Sequence, residues 1–138
     1  MQPFSQEQYQ QLLDNGKPEN KDKNHAPVVH LYLPCTACEW LLSEIDPEEP
    51  RIAFGLCDLG KGFPELGYVD LEELQSVKVP PFGFTVSNNH LFESKYPMSV
   101  YVAAARHKSA ITRDDALLSQ FYQAELNRNK AKLKHDKF

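Results

Sequence analysis

Residues 39–57 constrain this chain most. The apolar-rich segments EWLLSEI and RIAFGLC flank DPEEP, whose prolines and acids favour a tight reversal of the backbone. Arg51–Cys57 reads as a strand and as the hairpin partner of the segment before the turn. Glu39–Ile45 fits two periods on its own, an alternating strand and a helical stripe.

Similar punctuation divides the rest of the chain into short elements. Ser5–Asn15 is expected to be a helix, with Ser5 and Gln8 as a capping box and Gly16 and Pro18 as the stop. The run KPENKDKNHA at 17–26 has no apolar residue except its last, which predicts a mobile connector. Val28–Leu33 lies between prolines, is β-branched and aromatic, and reads as the first strand. DLGKGFPELG packs three glycines and a proline into ten residues, a loop expected to need positive φ at one or more glycines. DLEELQSV follows as a short helix capped by Asp70 with Glu73, and Pro80 and Pro81 end it. Phe82–Val86 and His90–Phe92 flank Ser87, Asn88 and Asn89, a pattern that suits a hairpin or a bent edge strand. Ser99 is expected to cap a helix through Lys108. Thr112 with Asp115 is expected to cap a longer one with Leu117, Leu118, Phe121, Tyr122 and Leu126 on one face.

A length of 138 residues with 41% apolar and 25% charged residues suits a single domain with a real core. The start MQPFSQEQYQ has neither a basic opening nor an apolar run, and the longest apolar stretch, Val100–Ala105, is too short to cross a bilayer. Three cysteines in a chain that needs no covalent staple point to free thiols in a reducing compartment. The expected location is the cytoplasm. A formal net charge of −4 hides two poles, since acids cluster between Glu39 and Glu73 while Arg128, Lys130, Lys132, Lys134 and Lys137 crowd the end.

The central third carries a further pattern: WLLSEIDPE at 40–48, then FGLCDLGKGFPELGYVDLEEL at 54–74. It resembles an uncharacterised bacterial domain family of small proteins carried on conjugative plasmids and integrative elements. Trp40, Glu44, Asp46, Pro47, Phe54, Gly55, Glu65, Leu66, Gly67, Tyr68, Leu71, Glu73 and Leu74 carry the resemblance, which reaches more weakly from Val28 to Ile111. It implies that Trp40–Ile45 is a strand, lends no activity, and implies an accessory or anti-defence setting. One departure stands out: Ser87, Asn88 and Asn89 replace a Glu-Arg-Asp sequence common before the family's last strand.

Four chemistries compete. Cys35 and Cys38 form a C-x-x-C after a strand, and KVPPF at 78–82 offers a proline of the kind a thioredoxin-like site uses. That reading requires a helix at the cysteines to lower a thiol pKa, whereas the resemblance makes the following segment a strand. Zinc would take Cys35, Cys38 and Cys57, with His30 or His90 as fourth ligand, but only one cysteine pair exists where structural sites usually show two. The basic residues Arg128, Lys130, Lys132 and Lys134 would touch phosphates in a nucleic-acid accessory protein, against the simpler reading of a solvated helix end. Among the acids, Glu44, Asp46, Asp58 and Glu65 would have to meet across a cleft to act as an acid–base pair. Phosphate-binding glycine loops, a nucleophile elbow and an H-E-x-x-H pair are missing from the sequence.

These readings converge on an α+β chain: a small antiparallel sheet of four or five strands, short capped helices and a C-terminal amphipathic helix. Its segments are an N-terminal helix at 1–16, the connector at 17–26, an α+β core at 27–111, and a helix with a basic tail at 112–138. The expected function is a non-catalytic protein-interaction module needing no cofactor. Gly62, Phe63, Glu65 and Tyr68 form its binding surface for a host or plasmid protein, and the chain is a monomer or weak homodimer.

Overall fold

The computed structural model describes residues 3–136, and the side chains of 3–133. Element order is α1 (Gln6–Asn15), β1 (Val29–Tyr32), β2 (Glu39–Ile45), β3 (Ile52–Asp58), β4 (Glu65–Asp70), α2 (Leu71–Ser76), β5 (Ser87–Asn88), α3 (Met98–Lys108) and α4 (Asp115–Asp136). The strands form one antiparallel sheet in the order β4-β3-β2-β1-β5. The architecture is α+β.

The hairpin around DPEEP forms as its sequence predicts, with Ile45 opposite Ala53 and Trp40 opposite Cys57. Periodicity is ambiguous in β2 because almost every residue is buried, so both faces are apolar and the alternation is lost. The register slips between Leu42 and Glu44, a bulge that leaves the Ser43 carbonyl for Asn15 Nδ2 at 2.9 Å. Gly55 is required here: a Cβ would lie 2.1 Å from the Leu41 carbonyl oxygen.

Each face of the sheet has its own core. Val29, Leu31, Trp40, Leu42 and Ala53 meet Leu12 of α1 and Leu71 and Leu74 of α2 on one side. Leu41 and Leu56 meet Val100, Tyr101 and Ala104 of α3 and Leu118 of α4 on the other. Two of the four caps read from sequence are present: Ser5 and Gln8 make the reciprocal capping box, and the Asp70 carboxylate accepts the Glu72 and Glu73 N–H groups. Among the described residues, no helix is long and apolar enough to cross a membrane.

Several expectations need correction. The connector is not free, because Met98 N–H donates to the His25 carbonyl at 2.8 Å and Ser99 N–H to Asn24 Oδ1 at 3.1 Å. Asn24 therefore covers the start of α3 from outside the helix. Ser99 does not cap it; its hydroxyl donates to the Glu125 carboxylate at 2.7 Å, tying α3 to α4. At α4 the Ala116 N–H is taken by Asp114 at 3.2 Å, while Asp115 accepts from the Tyr96 hydroxyl at 2.7 Å. Phe82–Val86 is a turn whose Phe84 bridges back to Val79, followed by irregular chain, and the short strand is Ser87–Asn88, read from sequence as the turn. Glu65–Tyr68, read as loop, lies in β4, whose pairing with β3 organises a segment too glycine-rich to declare itself as a strand.

Candidate functional site

The edge strand β4 carries most of the residues expected to bind. Glu65, Leu66, Gly67 and Tyr68 lie in it, opposite Cys57, Leu56, Gly55 and Phe54 of β3. Gly62 and Phe63 lie in the turn that leads in, where Gly60 and Gly62 hold φ of 77° and 87°. Phe63 is 78% exposed, Tyr68 77% and Leu66 44%. The Tyr68 ring sits 5.1 Å from that of Phe54, so the apolar surface continues from the edge onto the sheet. Nothing among the described residues pairs with the outer side of β4.

Beside it, a cleft of about 370 Å³ is lined by Lys17, Lys21, Glu44, Asp46, Phe54 and Tyr68 among others. Burial pushes the Glu44 carboxyl above the ordinary range, with His25 and Lys21 opposing it. The four acids considered from sequence do not gather. Asp58 is buried and structural, accepting the Ile111 N–H and the Gly60 N–H, both at 2.9 Å.

The cysteine readings fail on geometry. Cys35 lies in a turn at φ 66°, and Cys38 leads into β2 rather than a helix, so no helix dipole acts on either. The Pro80–Pro81 peptide is cis, but Pro81 enters a turn, not a strand. Cys57 packs against the α1–α2 face, and burial pushes its thiol up to about 11. Among the described residues no three His, Cys, Asp or Glu side chains gather to hold a metal ion. His30 is unsuited to zinc because both its ring nitrogens are engaged, and His90 is exposed.

Those engagements define a second site. His30, 2% exposed, places Nε2 2.7 Å from Glu39 Oε1 and Nδ1 3.1 Å from Asn89 Nδ2. Asn89 Oδ1 already accepts the Leu91 N–H at 3.2 Å. Its amide nitrogen must therefore donate to His30 Nδ1, and the ring carries its proton on Nε2, directed at Glu39. These residues border a cleft of about 430 Å³ together with Tyr32, Thr36, Cys38 and Arg113. The network joins residues 9 and 59 positions apart. The only local signals were a histidine and a glutamate on strand faces otherwise filled by apolar side chains.

The basic tail is placed in part. Arg128, Lys130 and Lys132 are exposed on α4, and the Lys134 side chain and Lys137 lie outside the described residues. Phe121 and Tyr122 are half-buried, at 5.7 Å from His107 and 5.4 Å from Tyr96 respectively.

Residues 4–112 match the family described as Protein of unknown function (DUF2958). The chain belongs to that family. The DUF2958 match takes in α1, which the resemblance read from the central third did not reach, and stops short of α4. Comparison with curated proteins and with solved structures gave no match.

Proposed function

We infer that this chain is a non-catalytic protein-interaction module that captures an extended segment of a partner protein along β4. The observation that carries the reading is the edge itself. A six-residue strand with its outer side unpaired offers a row of backbone donors and acceptors, and Phe63, Leu66 and Tyr68 stand exposed beside it. Added-strand recognition uses these two components, backbone hydrogen bonds for affinity and alternate side-chain contacts for specificity. Natural sheets usually blunt such an edge. Glu65 at its exposed start favours a partner segment with a basic residue. The mobile-element resemblance makes a host or plasmid protein the partner, in an accessory or anti-defence role.

Affinity capture with the full chain as bait tests this against the nucleic-acid alternative. Glu65→Lys and Tyr68→Ala are expected to lose the captured protein, Tyr68→Ala by about 2 kcal/mol, on the order of 30-fold in affinity. Removing residues 127–138 is expected to leave capture intact. Capture that survives both β4 substitutions but is lost with the tail, together with salt-sensitive DNA binding, sinks the reading and favours Arg128, Lys130 and Lys132 as a phosphate-binding surface.

A further inference from the structure

The cleft at the other end of the sheet contains two opposite charges that do not pair. Glu39 and Arg113 both line it, yet the only ion-pair contact Glu39 makes among the described residues is to His30, and Arg113 makes none. A guanidinium and a carboxylate within reach of one another normally close into a short, charge-assisted contact. Here Glu39 is held from the strand side. The His30 N–H holds one oxygen of Glu39, and Asn89 holds His30. Arg113 follows Ile111 by two residues, where the buried Asp58 carboxylate accepts the Ile111 N–H, and its side chain is exposed.

Such an arrangement is costly to bury unless every member is satisfied, and in His30 it is: both ring nitrogens are bonded, and the ring lies 5.9 Å from both Tyr32 and Phe92. Glu39, with 29% of its side chain exposed, is bonded only through Oε1 and lines the cleft. His30 is thus a positioning residue, and the groups free to meet a ligand are Glu39 and Arg113. The Tyr32 ring adds an apolar wall. A volume of about 430 Å³ lies within the range of small-molecule sites, roughly 300–1,000 Å³.

We propose that this cleft binds a small zwitterion of the α-amino-acid class, its ammonium group on Glu39 and its carboxylate on Arg113. The dipolar ligand would bridge two opposite charges that make no contact with each other. The site is separate from the β4 edge and does not depend on that reading.

The test is nuclear magnetic resonance on the full ¹⁵N-labelled chain, titrated with each common L-amino acid at millimolar concentration. The best binder is then compared with its decarboxylated amine and its deaminated acid. At least one amino acid is expected to shift the resonances of residues 36–39, Asn89 and Arg113 saturably, and to bind about tenfold or more tightly than either analogue. Arg113→Gln should reduce amino-acid binding to the level of the amine in the wild type, and Glu39→Gln to that of the acid. A purely structural role for either residue would not produce this crossed pattern. Arg113 is exposed and Glu39→Gln preserves shape, so both variants keep the fold, as their spectra will report. No saturable shift with any amino acid, an amine or acid that binds as well as the amino acid, or binding indifferent to both substitutions overturns the proposal.

Discussion

The β5 edge is two residues long and tied by a side chain to the start of the chain, whereas the six-residue β4 edge has no such tie among the described residues. Asn88 of β5 donates to the Pro3 carbonyl at 2.8 Å and to Gln8 Oε1 at 2.9 Å, closing that edge against the start of α1. Its neighbour Asn89 turns to the opposite face and holds His30. Across the sheet, β4 presents Leu66 and Tyr68 with no covering element. One edge has been sealed with polar groups drawn from distant segments. The other keeps the generic stickiness of a strand edge, which is where a module that captures extended segments would have to leave it.

The most damaging test strikes what both edges share. Gly55→Ala should destabilise the fold by about 3 kcal/mol, at the upper end of the overpacking range, because the added methyl meets the Leu41 carbonyl and the Leu42 Cα on the backbone of β2. Urea denaturation followed by hydrogen exchange should show β4 and β1 losing protection together. If one edge alone opens, the two are not a single cooperative unit, and the contrast between them is one of stability rather than of chemistry.

Asn88→Ala separates the edges. It removes two hydrogen bonds that hold α1 to β5 and should cost about 1–2 kcal/mol. Tyr68→Ala, on the open edge, should stay within about 0.5 kcal/mol of the parent. Equal denaturation midpoints for the two variants would erase the distinction between a sealed edge and an open one.

The smallest effect is a pH dependence from Cys57, which lies opposite Glu65 beneath the open edge. Burial favours its neutral thiol and raises it from 9.0 to about 11. The stabilising contribution is therefore fully present below pH 9.0 and is lost as pH rises through about 11. The difference in stability between the parent and Cys57→Ala should move in that sense over this window. In alkylation near pH 8, exposed Cys35 should react first and Cys57 last. Early reaction of Cys57 would mean that the open edge frays.

Legibility of the fold followed the locality of its causes. The Ser5–Gln8 capping box, the turn at DPEEP and the Asp70 cap each depend on residues a few positions apart, and all three read correctly. β4 did not, since Glu65–Asp70 is a strand only because β3 lies beside it. The connector at 17–26 looked unstructured because its anchors, Asn24 and His25, act on the start of α3 about 75 residues later, as in the Asn24–Ser99 contact. Tyr68 and Phe63 were legible as candidate contacts because exposed aromatics beside glycines have no helical or strand stripe to join. Glu39 and Arg113 were not, each looking like ordinary surface charge.

By itself the sequence determined the local elements: the α1 capping box, the DPEEP turn, the Asp70 cap, and that the elements combine into an α+β chain of a recognisable family. Those outcomes depend on backbone preferences and on hydrogen bonds within one turn of chain. Only the tertiary structure decided the order β4-β3-β2-β1-β5, the sealing of one edge and not the other, and the meeting of His30, Glu39 and Asn89. Such contacts join residues far apart in the chain, and they form only when burying both faces of the sheet holds those segments together.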